Sequence, residues 1–158
     1  MIFRAPIAAL GLMIAFSASA GVFKDDTDRF TGVRAVSWSS LPPQATEFAL
    51  STTALYTKGQ SEPYYQLQLL TWASEWRFMD CHHTNWLVDG VPDPYLELAY
   101  SHDLAGSATI ERFDKAVDRP NLQRLAAAKL IEFKVCGTEG KISSGDMEGM
   151  RKVLAATK

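Results

Sequence analysis

The chain is poor in the residues on which most site chemistry depends: its 158 residues hold two cysteines and three histidines. Two cysteines allow one disulfide, and its connectivity is forced. Charge of either sign is not in excess, with 16 basic against 18 acidic side chains. Nucleic-acid recognition asks for a basic stripe and anionic lipid for a polybasic patch, so this balance argues against both. No G-x-S-x-G elbow occurs, and "GTEGKISSG" puts Lys141 after Gly140 with glycine spacing that fails the phosphate-loop pattern. "DDTDRFTG", with Asp25, Asp26 and Asp28, lacks the glycine and glutamate of a calcium loop and reads as a solvated polar segment. There is no internal repeat, no low-complexity tract, and no apolar run of the roughly 20 residues a bilayer span requires.

The longest apolar run, Ile7 to Phe16, follows a lone Arg4 and precedes "SASA". Those three parts, in that order, predict a secretory signal peptide over residues 1–20, cut after Ala20. Gly21 then begins the exported chain, and the absence of a cysteine there argues against a lipid anchor. Removing 20 of 158 residues leaves 138, enough for a single core. Arg4 is the only charge removed, which takes the net from −2 to −3. The expectation is one exported β-rich domain over residues 21–158, bacterial, periplasmic or secreted, without membrane insertion after cleavage.

What the chain does contain is period-two alternation, the mark of half-buried strands. After a polar lead-in, "GVRAVSWSS" stops at the prolines of "LPPQ", and "TEFALSTTALYT" puts Phe48, Leu50, Thr52, Ala54 and Tyr56 on one face. "KGQSEP" is a turn, and "YYQLQLLTW" alternates Tyr65, Leu67 and Leu69 with Gln66 and Gln68. "ASEWRFMD" reads as a continuing strand with Trp76 and Phe78 inward, "HTNWLV" as another, Asp89-Gly90 as a reverse turn, and "YLELAY" as a short strand. "HDLAGS" reads as a loop, and "ATIERFDKAV" and "LIEFKVC" as strands. Two short helices interrupt this text. "DRPNLQRLAAAK" has Pro120 near its first position and a Leu122, Leu125, Ala126 stripe. "SSGDMEGMRKVLAATK" is capped by Ser143 or Ser144, with Met147, Met150 and Leu154 as its buried seam, and is weakened by Gly145 and Gly149. The predicted fold is a mainly β, antiparallel, sandwich-like single domain with two short helices, the last at the C-terminus.

Cys81 and Cys136 are expected to form a disulfide, because export exposes thiols to an oxidising compartment. Strand parity agrees. Cys81 shares the polar face of its strand with His83 and Asn85, and Cys136 follows Glu132 and Lys134 on theirs. A loop of this length would stabilise by about 4 kcal/mol on the chain-entropy model.

The order "WRF", a strand into "LVDG", then "RLAAAKLIEFKVCGTEGKIS" and a closing helix resembles a recurring exported bacterial β-rich domain of uncharacterised function, over roughly residues 65–155. The resemblance implies the fold and brings no chemistry.

Candidate site residues are few. On a strand Cys81 and His83 could face one ion, with His82 turned the opposite way and help required from His102, Asp80 or Asp103. A disulfide-bonded Cys81 cannot supply a thiolate, however, which leaves His82, His83 and His102 as the alternative metal residues. In "YSHDLAGS", Ser101, His102 and Asp103 are consecutive and cannot fold back into a triad. Tyr64 and Tyr65 are adjacent on a strand, so one faces outward, where an aromatic ring can stack on a glycan or anchor a protein. The leading expectation is a non-enzymatic exported domain, without cofactor, that binds a partner protein or an envelope component such as a glycan. The alternative is a small periplasmic metal-binding protein or hydrolase using His82, His83 or His102.

Overall fold

The computed structural model describes residues 21–41, 44 and 46–157; the signal-peptide reading of residues 1–20 lies outside the described residues. Two open antiparallel sheets share one core. The larger runs in the order β1 (Gly21–Thr27), β2 (Arg34–Ser40), β3 (Ala49–Tyr56), β4 (Tyr64–Ala73), β8 (Ala108–Val117), β7 (Ala99–Ala105). The smaller runs β10 (Thr138–Lys141), β9 (Ile131–Val135), β5 (Thr84–Val88), β6 (Val91–Pro92). Alternation in the sequence becomes alternation of burial. β4 buries Tyr65, Leu67, Leu69 and Thr71, and β9 buries Ile131, Phe133 and Val135. The sheets meet where Phe48 sets its ring edge-on to Phe133, with centroids 5.2 Å apart, beside Phe78 and Phe113.

The C-terminal helix lies on the inner face of the large sheet at β1, β2 and β3, and the other helix packs on it. Asp118 accepts from the Asn121 amide and caps α1 (Arg119–Ala127), which buries Leu122, Leu125 and Ala126. Ser143 caps α2 (Ser144–Ala156), which lies over β2 and β3 and buries Met147, Met150, Val153 and Leu154. Gly149 faces the Trp38 indole so closely that a β-carbon there would fall inside the ring's contact distance. The residue that weakens the helix locally is thus the one that lets it seat. Arg119 donates to the Leu154 and Thr157 carbonyls and to the Tyr65 hydroxyl, holding the end of α2 against β4. Asp89 and Gly90 both take left-handed φ (52° and 79°), as a two-residue type I′ turn between β5 and β6 requires. No helix among the described residues is long and apolar enough to cross a membrane.

Five local readings are corrected. The polar lead-in contains β1, an edge strand held by its backbone pairing with β2 rather than by buried side chains. "ASEWRFMD" leaves the sheet after Ala73 and runs irregularly, although Phe78 is buried. Pro94–Leu96 form a single 3-10 turn, so the strand expected in "YLELAY" begins only at Ala99. "HDLAGS" is the end of β7 and a tight turn into β8 at Gly106 and Ser107. β10 was not anticipated; its four residues include Gly140, which packs against the Phe133 ring.

Candidate functional site

The site begins with an acid in the wrong place. β8 points Thr109, Glu111 and Phe113 inward, so a carboxylate occupies a core position and is 1% exposed. Burying such a group is costly unless its oxygens are hydrogen-bonded. Glu111 Oε2 accepts from the Arg77 amide at 3.0 Å, and Oε1 accepts from the Phe78 amide at 2.9 Å and the Tyr100 hydroxyl at 2.8 Å. Glu111 thereby ties the irregular 74–83 segment to the inner face of β7 and β8. Arg77 Nη1 donates to the Thr46 carbonyl, and the Cys81–Cys136 disulfide, with Cα atoms 6.0 Å apart, pins the far end. The bond fits an extracytoplasmic, oxidising setting.

So held, the segment builds a row of rings along the inner side of edge strand β7. His82 stacks on Tyr100 at 4.7 Å between centroids, Tyr100 on His102 at 5.5 Å, and Trp76 meets His102 edge-on at 5.0 Å. Burial pushes the Tyr100 phenol above the ordinary tyrosine range, and the Glu111 hydrogen bond and negative charge push it further. The sign follows. Below about pH 10, the ordinary tyrosine value, folded and unfolded chains both carry the proton and the contact stabilises fully. Above it the unfolded chain sheds the proton first, so stability falls as pH climbs towards the raised folded value. Alkaline denaturation of Tyr100→Phe should therefore show a shallower loss of stability above about pH 10 than wild type, measured as denaturant midpoint against pH.

The histidines divide. His82 and His102 both stack on Tyr100, whereas His83 lies by the disulfide, its Nδ1 3.7 Å from Cys81 Sγ. Among the described residues the cluster with metal-ligand spacing is Cys81, His83 and Cys136, not the three histidines. Ser101 and Asp103 lie on the opposite face of β7 from His102. Ser101 Oγ donates to Asp114, and Asp103 accepts from the Leu104 amide. Asp25 pairs bidentately with Arg34, and Asp28 accepts from the Phe30 and Thr31 amides at the β1–β2 turn. These bonds hold both carboxyls below the usual range.

Of the tyrosine pair, Tyr65 is buried with its hydroxyl on Thr157 Oγ1, and Tyr64 is 47% exposed on the outer face of the large sheet. Trp72 is also exposed on that face, but eight residues further along β4, about 27 Å away, so the two rings cannot grip one sugar. A hollow of about 950 Å³ lies over the small sheet, with Pro94, Lys141 and His83 among the residues that line it. Sequence reasoning missed Glu111 and Tyr100, and read Trp76 as inward without its place against His102. The available signal was the broken alternation of "ATIERFDKAV", where an acid takes a core register.

Comparison with known proteins returns no matching family model, no matching curated protein and no matching solved structure.

Proposed function

We propose that this is a non-enzymatic exported domain of the bacterial periplasm that captures an extended segment of an envelope protein as an added strand along β7. The observation that carries the reading is the state of that edge. Residues 99–105 pair with β8 in the register Ala105↔Ala108 to Ala99↔Asp114. Ala105 and Ala108 flank a two-residue turn and form a hydrogen-bonded pair, so the even residues of β7 are the non-hydrogen-bonded ones, and the Leu104 amide takes the Asp103 side chain. The backbone N–H and C=O groups of Tyr100 and His102 consequently point away from the sheet, along the free edge.

Other edges are guarded in the usual ways. β1 carries Lys24, Asp25 and Asp26, with Asp25 tied to Arg34. β6 has two residues, one a proline, and β10 has four. β7 has seven residues, no proline, no lysine and one acid, and is exposed almost throughout. An incoming strand would take main-chain bonds from Tyr100 and His102 and lay alternate side chains against the ring row, the mode in which backbone gives affinity and pockets give selectivity. The ring row predicts apolar or aromatic residues at alternate positions of the partner.

Cross-linking from a photoreactive residue at Asp103 in envelope preparations tests this. His102→Pro removes the edge N–H without touching the β8 ladder, and should weaken capture about 10-fold, the worth of roughly one net hydrogen bond. His102→Ala, which keeps the N–H, should weaken it less. Leu104→Lys, a guard that leaves the backbone intact, should also reduce capture. Equal capture of the same protein by His102→Pro and wild type, both folded by near-ultraviolet circular dichroism, would overturn the reading.

A further inference from the structure

We propose that Cys81, Cys136 and His83 form a redox-gated site for a thiophilic metal ion of the zinc class, closed while the disulfide stands and opened by its reduction. The sulfur atoms and the imidazole nitrogen all lie within 4.8 Å of one another. Two thiolates and one imidazole are a ligand set that zinc takes, with a fourth position left for water or a further ligand. Tetrahedral geometry with ordinary zinc–sulfur and zinc–nitrogen bonds puts a sulfur and a nitrogen ligand about 3.6 Å apart and two sulfurs about 3.8 Å apart. Cys81 Sγ and His83 Nδ1 already stand 3.7 Å apart. The sulfur pair must open from bonding distance, a movement within the reach of side-chain rotation, and Cys136 Sγ starts within 4.8 Å of the imidazole nitrogen.

The scaffold has other holds beside the bond that would be broken. His83 and Cys136 face each other at the end of the β5–β9 ladder, where the Cys136 amide donates to the His83 carbonyl at 3.2 Å and Thr84 pairs with Val135. Cys81 is carried two residues away on a segment that Glu111 and buried Phe78 anchor separately. The cysteines are half-buried and His83 is exposed, so both a reductant and an ion can reach the group. His83 also lines the hollow over the small sheet, which gives the fourth position room.

The chemistry balances with a dithiol donor. Two electrons break the Cys81–Cys136 bond, the donor's thiols become its disulfide, and the protein gains two thiols. Zn²⁺ then displaces both thiol protons as it takes two sulfurs and the imidazole nitrogen. With the disulfide intact neither sulfur is a thiolate, and the site is shut.

The experiment uses the exported protein purified without a polyhistidine tag, oxidised or reduced, under anaerobic titration with Zn²⁺ and with Co²⁺ as its spectroscopic stand-in. Reduced protein should bind one ion per chain and show thiolate-to-Co²⁺ charge transfer with tetrahedral ligand-field bands; oxidised protein should show neither. His83→Ala should weaken the reduced site about 10-fold or more, since loss of a ligand exceeds the usual cost of losing a ligand's supporting partner. The Cys81→Ser, Cys136→Ser double variant should keep the fold and take no ion. Absence of the charge-transfer band in reduced protein, affinity unchanged by His83→Ala, or loss of the native near-ultraviolet circular dichroism on reduction would each overturn the proposal.

Discussion

Replacing Glu111 with alanine is expected to destabilise the domain by about 3–4 kcal/mol and to loosen the 74–83 segment before the rest of the fold. Two effects oppose each other. Truncation relieves the desolvation of a carboxylate that is 1% exposed, but it strands the amides of Arg77 and Phe78 and the Tyr100 hydroxyl, all three of which end on that carboxylate. An unpaired buried donor costs about 1–3 kcal/mol; the Phe78 amide is buried and the other two donors half-buried, and together they outweigh the relief. Glu111→Gln separates charge from geometry. Its carbonyl can keep the Phe78 and Tyr100 bonds, while its amide meets the Arg77 N–H donor to donor, for a cost nearer 1–2 kcal/mol. Denaturant midpoints give the magnitudes, and hydrogen exchange at Arg77 and Phe78 locates them. An alanine variant within 1 kcal/mol of wild type would mean that this carboxylate does not organise the segment.

That dependence explains what the sequence could and could not disclose. Strands whose side chains sort by burial were legible: β2, β3, β4, β5 and β9 alternate because one face meets the core. Edge strands were not. β1 and β7 bury almost nothing, so their pairing leaves no periodic trace, and Leu104 is as exposed as a loop residue. The 74–83 segment failed for a different reason. "WRF" has the pattern of a strand, yet its amides are claimed by a glutamate more than thirty residues away. The disulfide was legible because two cysteines allow a single pairing, whereas the approach of His83 to that pair depends on where β5 ends against β9. Tyr64 and Tyr65 had to face opposite ways and the alternation with Leu67 and Leu69 already set Tyr65 inward; the assembled sheet adds that Arg119 and Thr157 lock it there. The ring row beside β7 exists because the 74–83 segment folds back onto that strand, and no local pattern announces it.

Trp38→Ala should cost the most, about 4–5 kcal/mol, because one side chain joins the β1 edge of the large sheet to the closing helix. The indole is 7% exposed on the inner face of β2, between Gly21 of β1 and Gly149 of α2. Its Nε1 donates to Asp146 Oδ1 at 2.9 Å, and Lys152 lies over the ring at 5.4 Å. Asp146 is itself buried, and its other oxygen accepts from the capping Ser143 hydroxyl. Removing the indole therefore leaves a cavity and a half-paired buried carboxylate at the start of α2. Trp38→Phe, which fills most of the space but cannot donate, should lose less, about 1–2 kcal/mol. The sharper test is the glycine opposite. In the middle of a helix Gly→Ala ordinarily stabilises by about 0.5–1 kcal/mol, yet at Gly149 the added carbon runs into the Trp38 ring. Gly149→Ala should reverse the usual sign and destabilise by about 1–3 kcal/mol, the range for overpacking. Combined with Trp38→Ala, which removes the Cγ, Cδ1 and Cδ2 atoms that the added carbon meets, the same substitution should cost less than it does alone. A double-mutant cycle in urea reads that coupling directly, and additive losses would show that α2 is not seated on the indole.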